Sequence, residues 1–276
     1  MSADGEQVAS GGWDNNARIW SLGTGQLLTT FTEHSKCVSC VAFCHDGKQV
    51  VSCGSDGTMR VWSTKTGSQN YGVRAHTNHV RSVVVSPDGQ TVASASLDRS
   101  IKVWKTGCVQ SQATLIGHIS RVNALAFSPD GQMLASGSED ATIKLWDVRA
   151  ARLERTITHG IGGGVRGVVF TPDGQHLVSG DCNNSVKVWN WRTGAEHREF
   201  KGHTGWVNSV AVFSDGRRIV SGSRDTTIKI WDSTSGTLEC TLTGHTKPVL
   251  SVAVAHSGKT LVSSSADKTV RIWELN

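Results

Sequence analysis

Tryptophan recurs along this chain as Trp20, Trp62, Trp104, Trp146, Trp189, Trp231 and Trp273, at spacings of 42, 42, 42, 43, 42 and 42 residues. The chain has ten tryptophans in 276 residues, so most of them obey one period. A period of this length marks a repeat architecture, in which each unit buries its apolar surface only against its neighbours. Seven units follow.

Other residues keep step with the indoles. Ten residues before each stands Ser10, Ser52, Ser94, Ser136, Ser179, Ser221 or Ser263. Six residues before each stands Asp14, Asp56, Asp98, Asp140, Asp225 or Asp267, with Asn183 in the fifth unit. Twenty-eight residues before five of them stands a histidine: His34, His76, His118, His203 and His245. Within a unit the local pattern predicts strands. Residues 122–127 (VNALAF), 132–138 (QMLASGS) and 142–146 (TIKLW) are short, alternating or β-branched, and bounded by turn residues. The SPDG and TPDG runs at 86–89, 128–131 and 171–174 read as β-turns. Three strands precede each tryptophan's end and one follows, so four-stranded sheets repeat about a common axis as radial blades.

Composition narrows the rest. Thirty glycines against four prolines fit many tight turns. The net charge of +5 mildly favours acidic partners, but the basic residues are spread over all units, with no basic block. No apolar run is long enough to span a membrane, and the N-terminal segment lacks a signal-type apolar core. Seven irregularly placed cysteines suggest a reducing, intracellular compartment.

These residues resemble the WD40 repeat family, which includes G-protein β subunits and many scaffold proteins. The marks are Gly117–His118, Gly202–His203 and Gly244–His245, with Trp146–Asp147 and Trp231–Asp232, and the match covers essentially the whole chain. The resemblance implies an all-β, seven-bladed WD40 β-propeller over residues 1–276 as a single domain. The first unit lacks room for an inner strand and the last for an outer one, so 26 of 28 strands are expected. In this family the ring commonly closes by an N-terminal strand completing the last blade. On that basis the chain is expected to be a fragment lacking an upstream closing segment.

The recurring His, Ser and Asp invite a catalytic-triad reading, but a triad is needed once, in one cleft. The resemblance implies instead a buried chain from indole N–H to Ser, Ser to His, and His to Asp, in which every polar group has a partner. Blade 5 departs: Asn183 replaces the acid, Ile161 stands at the histidine position, and His159 lies two residues early among glycines. Asn being the weaker partner, blade 5 is expected to be the least rigid, with a mobile loop at 159–164. Cys37, Cys40, Cys44 and Cys53 resemble a metal cluster until aligned; Cys40 and Cys53 then occupy columns of small packing residues, and no metal site is expected.

Function should lie where the units differ. In WD40 proteins the partner-binding top face carries the loops entering the inner strands and the turns before the third strands. Around the first Val of each inner strand those positions hold His79, Arg81, Arg121, Asn123, Arg166 and Trp206, and before the registered acids Trp13 and Arg224. Arg and Trp are enriched at binding hot spots. The sequence therefore reads as a non-catalytic scaffold, without cofactor or small-molecule substrate, binding acidic or phosphorylated peptides through these eight residues. The alternatives are a ribosome- or nucleic-acid-associated propeller, and the sensor or receptor domain of a larger regulatory protein.

Overall fold

Alternation of branched apolar residues with small or polar ones builds antiparallel hairpins along the whole chain. A computed structural model describes every residue except Ala3, Ile161 and Asn276. Blade 4 shows the unit: inner strand Val122–Phe127, then Met133–Ser138, Thr142–Asp147 and the outer strand Arg152–Thr158, hydrogen-bonded in that order. Among the described residues there are 26 strands in seven sheets, five of four strands and two of three. The three-stranded sheets are blade 1, from Gln7–Gly11 to Leu27–Phe31, and blade 7, from Val249–Val254 to Val270–Glu274. This is the expected seven-bladed propeller, incomplete in those two blades.

The apolar cores lie between blades rather than within them, because each sheet has two apolar faces and, among the described residues, no helix covers either. Trp146 of blade 4 packs with Ala95, Ile101, Val103 and Leu115 of blade 3, while Trp189 of blade 5 packs with Ile143, Leu145 and Ile157 of blade 4. The registered indoles of blades 2 to 7 thus join the core shared with the preceding blade. Close approach needs a missing Cβ at places: on Gly137 one would stand 2.5 Å from Cγ1 of Val165, the first residue of the next inner strand. Where a blade lacks its outer strand the same positions are wetter. Ile272 of blade 7 is 41% exposed, whereas its counterpart Leu145 is fully buried.

Two backbone irregularities recur and matter for the site. The turn after the second strand places one residue in the left-handed region: Asn15, Gly57, Arg99, Ala141, Asn184, Thr226 and Lys268. Only blade 2 uses glycine there. In the others the strain, about 1 kcal/mol for a non-glycine residue, is offset by a nearby acid, as when Asp140 Oδ1 accepts the Thr142 N–H at 3.0 Å or, in blade 5, Asp181 accepts that of Ser185. The second irregularity is a β-bulge at the start of every described inner strand, where the register skips Ser39, Arg81, Asn123, Arg166, Asn208 and Leu250. A bulge leaves its extra residue unpaired and re-aims the side chain.

Candidate functional site

Blade 4 shows why the registered polar residues are structural. Ser136 pairs with Lys144 across the hairpin, which makes it the diagonal neighbour of Trp146. The Trp146 indole N–H donates to Ser136 Oγ at 2.9 Å, Ser136 Oγ meets His118 Nε2 at 2.8 Å, and His118 Nδ1 meets Asp140 at 2.8 Å. Asp140 also accepts the backbone N–H of Ile119, so one carboxylate holds the entering loop to the turn. An ionised Asp calls for a proton on Nδ1, leaving Nε2 to accept from the serine hydroxyl. The same chain forms around His34, His76, His203 and His245. The four histidines and their serines are buried, each in its own blade, and they share no cleft.

Blade 5 corrects the sequence reading. His159 does reach Ser179, at 2.6 Å, and Trp189 donates to the same oxygen at 2.8 Å. Its acid is not Asn183 but Asp181, fully buried and 3.4 Å from His159 Nδ1. Asp181 accepts from the backbone of Asn183 and Ser185 and from the Ser185 hydroxyl, at 2.8–2.9 Å. Histidine and acid have each moved two residues earlier, so the blade keeps its charge. The signal was available: position 181 is Gly or Ser in every other unit (Gly12, Gly54, Ser96, Ser138, Ser223, Ser265). The contact to Nδ1 is an ion-pair distance without hydrogen-bond geometry. Ile161, central to the expected mobile loop, lies outside the described residues.

Burial lowers the pKa of His76 and lowers that of His159 to about 4, against the opposing pull of Asp98 and Asp181. Burial would raise the carboxyls of Asp56, Asp140, Asp225 and Asp267, but hydrogen bonds from the paired histidine and nearby threonine hold them below the usual range. The signs set a two-step acid response. A histidine with a depressed folded pKa binds its proton first in the unfolded chain, so stability falls as pH drops from about 6.5 towards 4. Carboxylates with depressed values contribute above about 3.9 and lose that contribution below it. Urea titrations across pH should therefore show a first decline of order 3 kcal/mol above pH 4 and a steeper one below. His159→Gln should shrink the first step; an unchanged curve in that variant would contradict the assignment.

The positions chosen for partner binding do form one face. In six blades the N–H of the residue before the acid position donates to the carbonyl of the residue before the inner strand. The pairs include Leu97 to His79, Glu139 to Arg121 and Arg224 to Trp206, at 2.8–3.0 Å. These bonds join the entering loop to the turn, and the bulge lifts Arg81, Asn123 and Arg166 out of their ladders toward the same rim.

Blades 3, 4 and 5 meet there around a cavity of about 150 Å³ lined by His79, Arg81, Leu97, Arg121, Asn123, Glu139 and Arg166. Three guanidiniums face one carboxylate. Glu139 lies 3.6 Å from Arg121 Nε and 3.8 Å from Arg166 Nη2, ion pairs too long to be hydrogen bonds. Arg81 is exposed at the rim of a concavity, where partial desolvation followed by the like charge of Arg166 lowers its pKa, with Glu139 opposing. Arg166 is held on three sides: its Nε donates to Cys182 Sγ at 3.2 Å, it reaches Glu139, and it stacks on Trp206 at 4.5 Å. Arg224 stacks on the same indole at 4.1 Å. Such stacks contribute about 0.5–2 kcal/mol and fix the orientation of the fork.

Seven of the eight predicted residues fall in this continuous patch, with two qualifications. Asn123 spends its amide on the Val165 carbonyl at 3.1 Å, as Asn208 does on Val249, so it staples adjacent blades. Trp13 lies on blade 1, 74% exposed, outside both cavity and stack. Glu139 and Cys182 escaped the sequence reading because their part in the site comes from what other blades place beside them. Trp191 packs on Phe170 and donates to the Gly174 carbonyl at 2.9 Å.

No curated protein sequence matches the chain. The family model described as WD domain, G-beta repeat matches residues 1–21, 25–63, 67–105, 109–147, 152–190, 194–232 and 236–274. Each complete match holds the outer strand of one blade and three strands of the next, as 109–147 spans Ser111–Ile116 of blade 3 and the first three strands of blade 4. The sequence repeat therefore laces neighbouring sheets together. With seven matches spanning nearly its whole length, on a seven-bladed propeller, the chain belongs to the WD40 repeat family, whose propellers are typical protein-interaction scaffolds.

Proposed function

We propose that this propeller is a non-catalytic scaffold that binds acidic or phosphorylated peptides on the face built by Arg81, Arg121, Arg166, Trp206 and Arg224. The observation that carries the reading is the convergence of three arginines from three blades on one cavity, beside an indole that holds Arg166 and Arg224 in place. Guanidiniums fixed before binding lose little entropy on meeting an anion, and their planar forks match carboxylate and phosphoryl oxygens. His79 adds a polar rim and Leu97 an apolar wall. The seven cysteines are free thiols, which suits a reducing, intracellular setting.

Immobilised peptide libraries biased towards Asp, Glu and phosphorylated residues test the proposal. Binding should weaken as salt rises. The double variant Arg81→Glu/Arg121→Glu should lose about 2–5 kcal/mol of binding free energy, while Arg74→Glu, on the outer strand of blade 2, should change little. Retained binding in the double variant would sink the assignment of this face.

A further inference from the structure

We infer that the cavity between blades 3, 4 and 5 is a phosphoryl pocket, selecting a phosphorylated side chain over a glutamate or aspartate at the same place in a peptide. The inference rests on the acidic-peptide reading above and narrows it.

Geometry and charge point the same way. Arg81 rises from the bulge of blade 3, Arg121 from the loop entering blade 4, and Arg166 from the bulge of blade 5. Forks arriving from three separate sheets can reach one ligand from three sides. A carboxylate presents two coplanar oxygens and suits one fork, whereas a phosphomonoester presents three oxygens arranged around a tetrahedral centre. Three guanidiniums against the Glu139 carboxylate leave a surplus of two positive charges. A phosphoserine or phosphothreonine, at about −1.5 to −2 near neutral pH, balances that surplus, and a single carboxylate leaves half of it.

Glu139 has a defined part in this arrangement. Its backbone N–H is tied to the Arg121 carbonyl at 3.0 Å, so its carboxylate stays at the pocket wall. There it spaces Arg121 and Arg166 without hydrogen-bonding either in full. Each guanidinium keeps donors for an incoming oxygen. Removing the Glu139 charge deepens the positive field and acts twice as strongly on a dianion as on a monoanion.

The test uses the whole chain and short peptides with randomised flanks around a fixed central phosphoserine, glutamate or serine, with affinities read by fluorescence polarisation. The phosphoserine set should bind about tenfold tighter than the glutamate set, and inorganic phosphate should compete where acetate does not. Glu139→Gln should tighten the phosphoserine set more than the glutamate set. Arg121→Lys, at an exposed position, keeps the charge and removes the fork. It should weaken the phosphoserine set about tenfold and the glutamate set clearly less. Equal affinity for the two sets, both lost in Arg81→Glu/Arg121→Glu, would overturn the phosphoryl pocket and leave the acidic-peptide reading standing. No binding of either set would overturn both.

Discussion

Asp181→Ala is expected to destabilise the protein by about 3–5 kcal/mol, as much as Asp140→Ala in the regular blade 4. Each carboxylate accepts several hydrogen bonds from its turn and faces a buried histidine: Asp181 from Asn183, Ser185 and its hydroxyl, Asp140 from His118, Ile119 and Thr142. Removing either leaves these donors, most of them partly or fully buried, without an acceptor, and each orphaned buried group costs about 1–3 kcal/mol. Chemical denaturation of the two variants side by side measures the comparison. A loss below about 1 kcal/mol for Asp181→Ala would mean that blade 5 is not held by this carboxylate.

Trp146→Ala should cost about 3–5 kcal/mol, while Trp273→Ala should cost clearly less. Trp146 is 2% exposed, fills the core between blades 3 and 4, and gives Ser136 its indole hydrogen bond. Trp273 makes the equivalent bond to Ser263 at 2.8 Å, but its sheet has three described strands and the indole is only partly buried. The cavity term scales with the contacts that cannot close again, and those are fewer at the wetter site. Trp146→Phe separates the two contributions: the ring refills much of the space, and the residual loss reports the missing donor, about 1–3 kcal/mol. Unfolding curves showing equal losses for Trp146→Ala and Trp273→Ala would contradict this account.

The seven sheets and their 26 strands were legible from the register of the repeats, and the buried chain of Trp, Ser, His and Asp from the family resemblance that this register carries. A repeat records the same local environment several times, so agreement among Trp20, Trp62, Trp104 and the others substitutes for knowledge of their neighbours. That same averaging obscured blade 5. Reading down the acid column led to Asn183 and passed over Asp181, since two compensating shifts of two residues preserve a network while breaking the pattern.

The sequence by itself determined the blade, because strand period, turn residues and donor–acceptor matching act over a few residues and repeat. It also marked which positions vary. Only the tertiary structure decided what those positions do together. Arg81, Arg121 and Arg166 become a single charged pocket because bulges turn two of them out of their ladders and the propeller sets three blades side by side. Asn123, chosen on the same grounds, is diverted to the Val165 carbonyl, and Trp13 is left outside the patch. Coulomb attraction and stacking depend on distances between residues 18 to 40 positions apart in the chain, and those distances exist only once the sheets have packed.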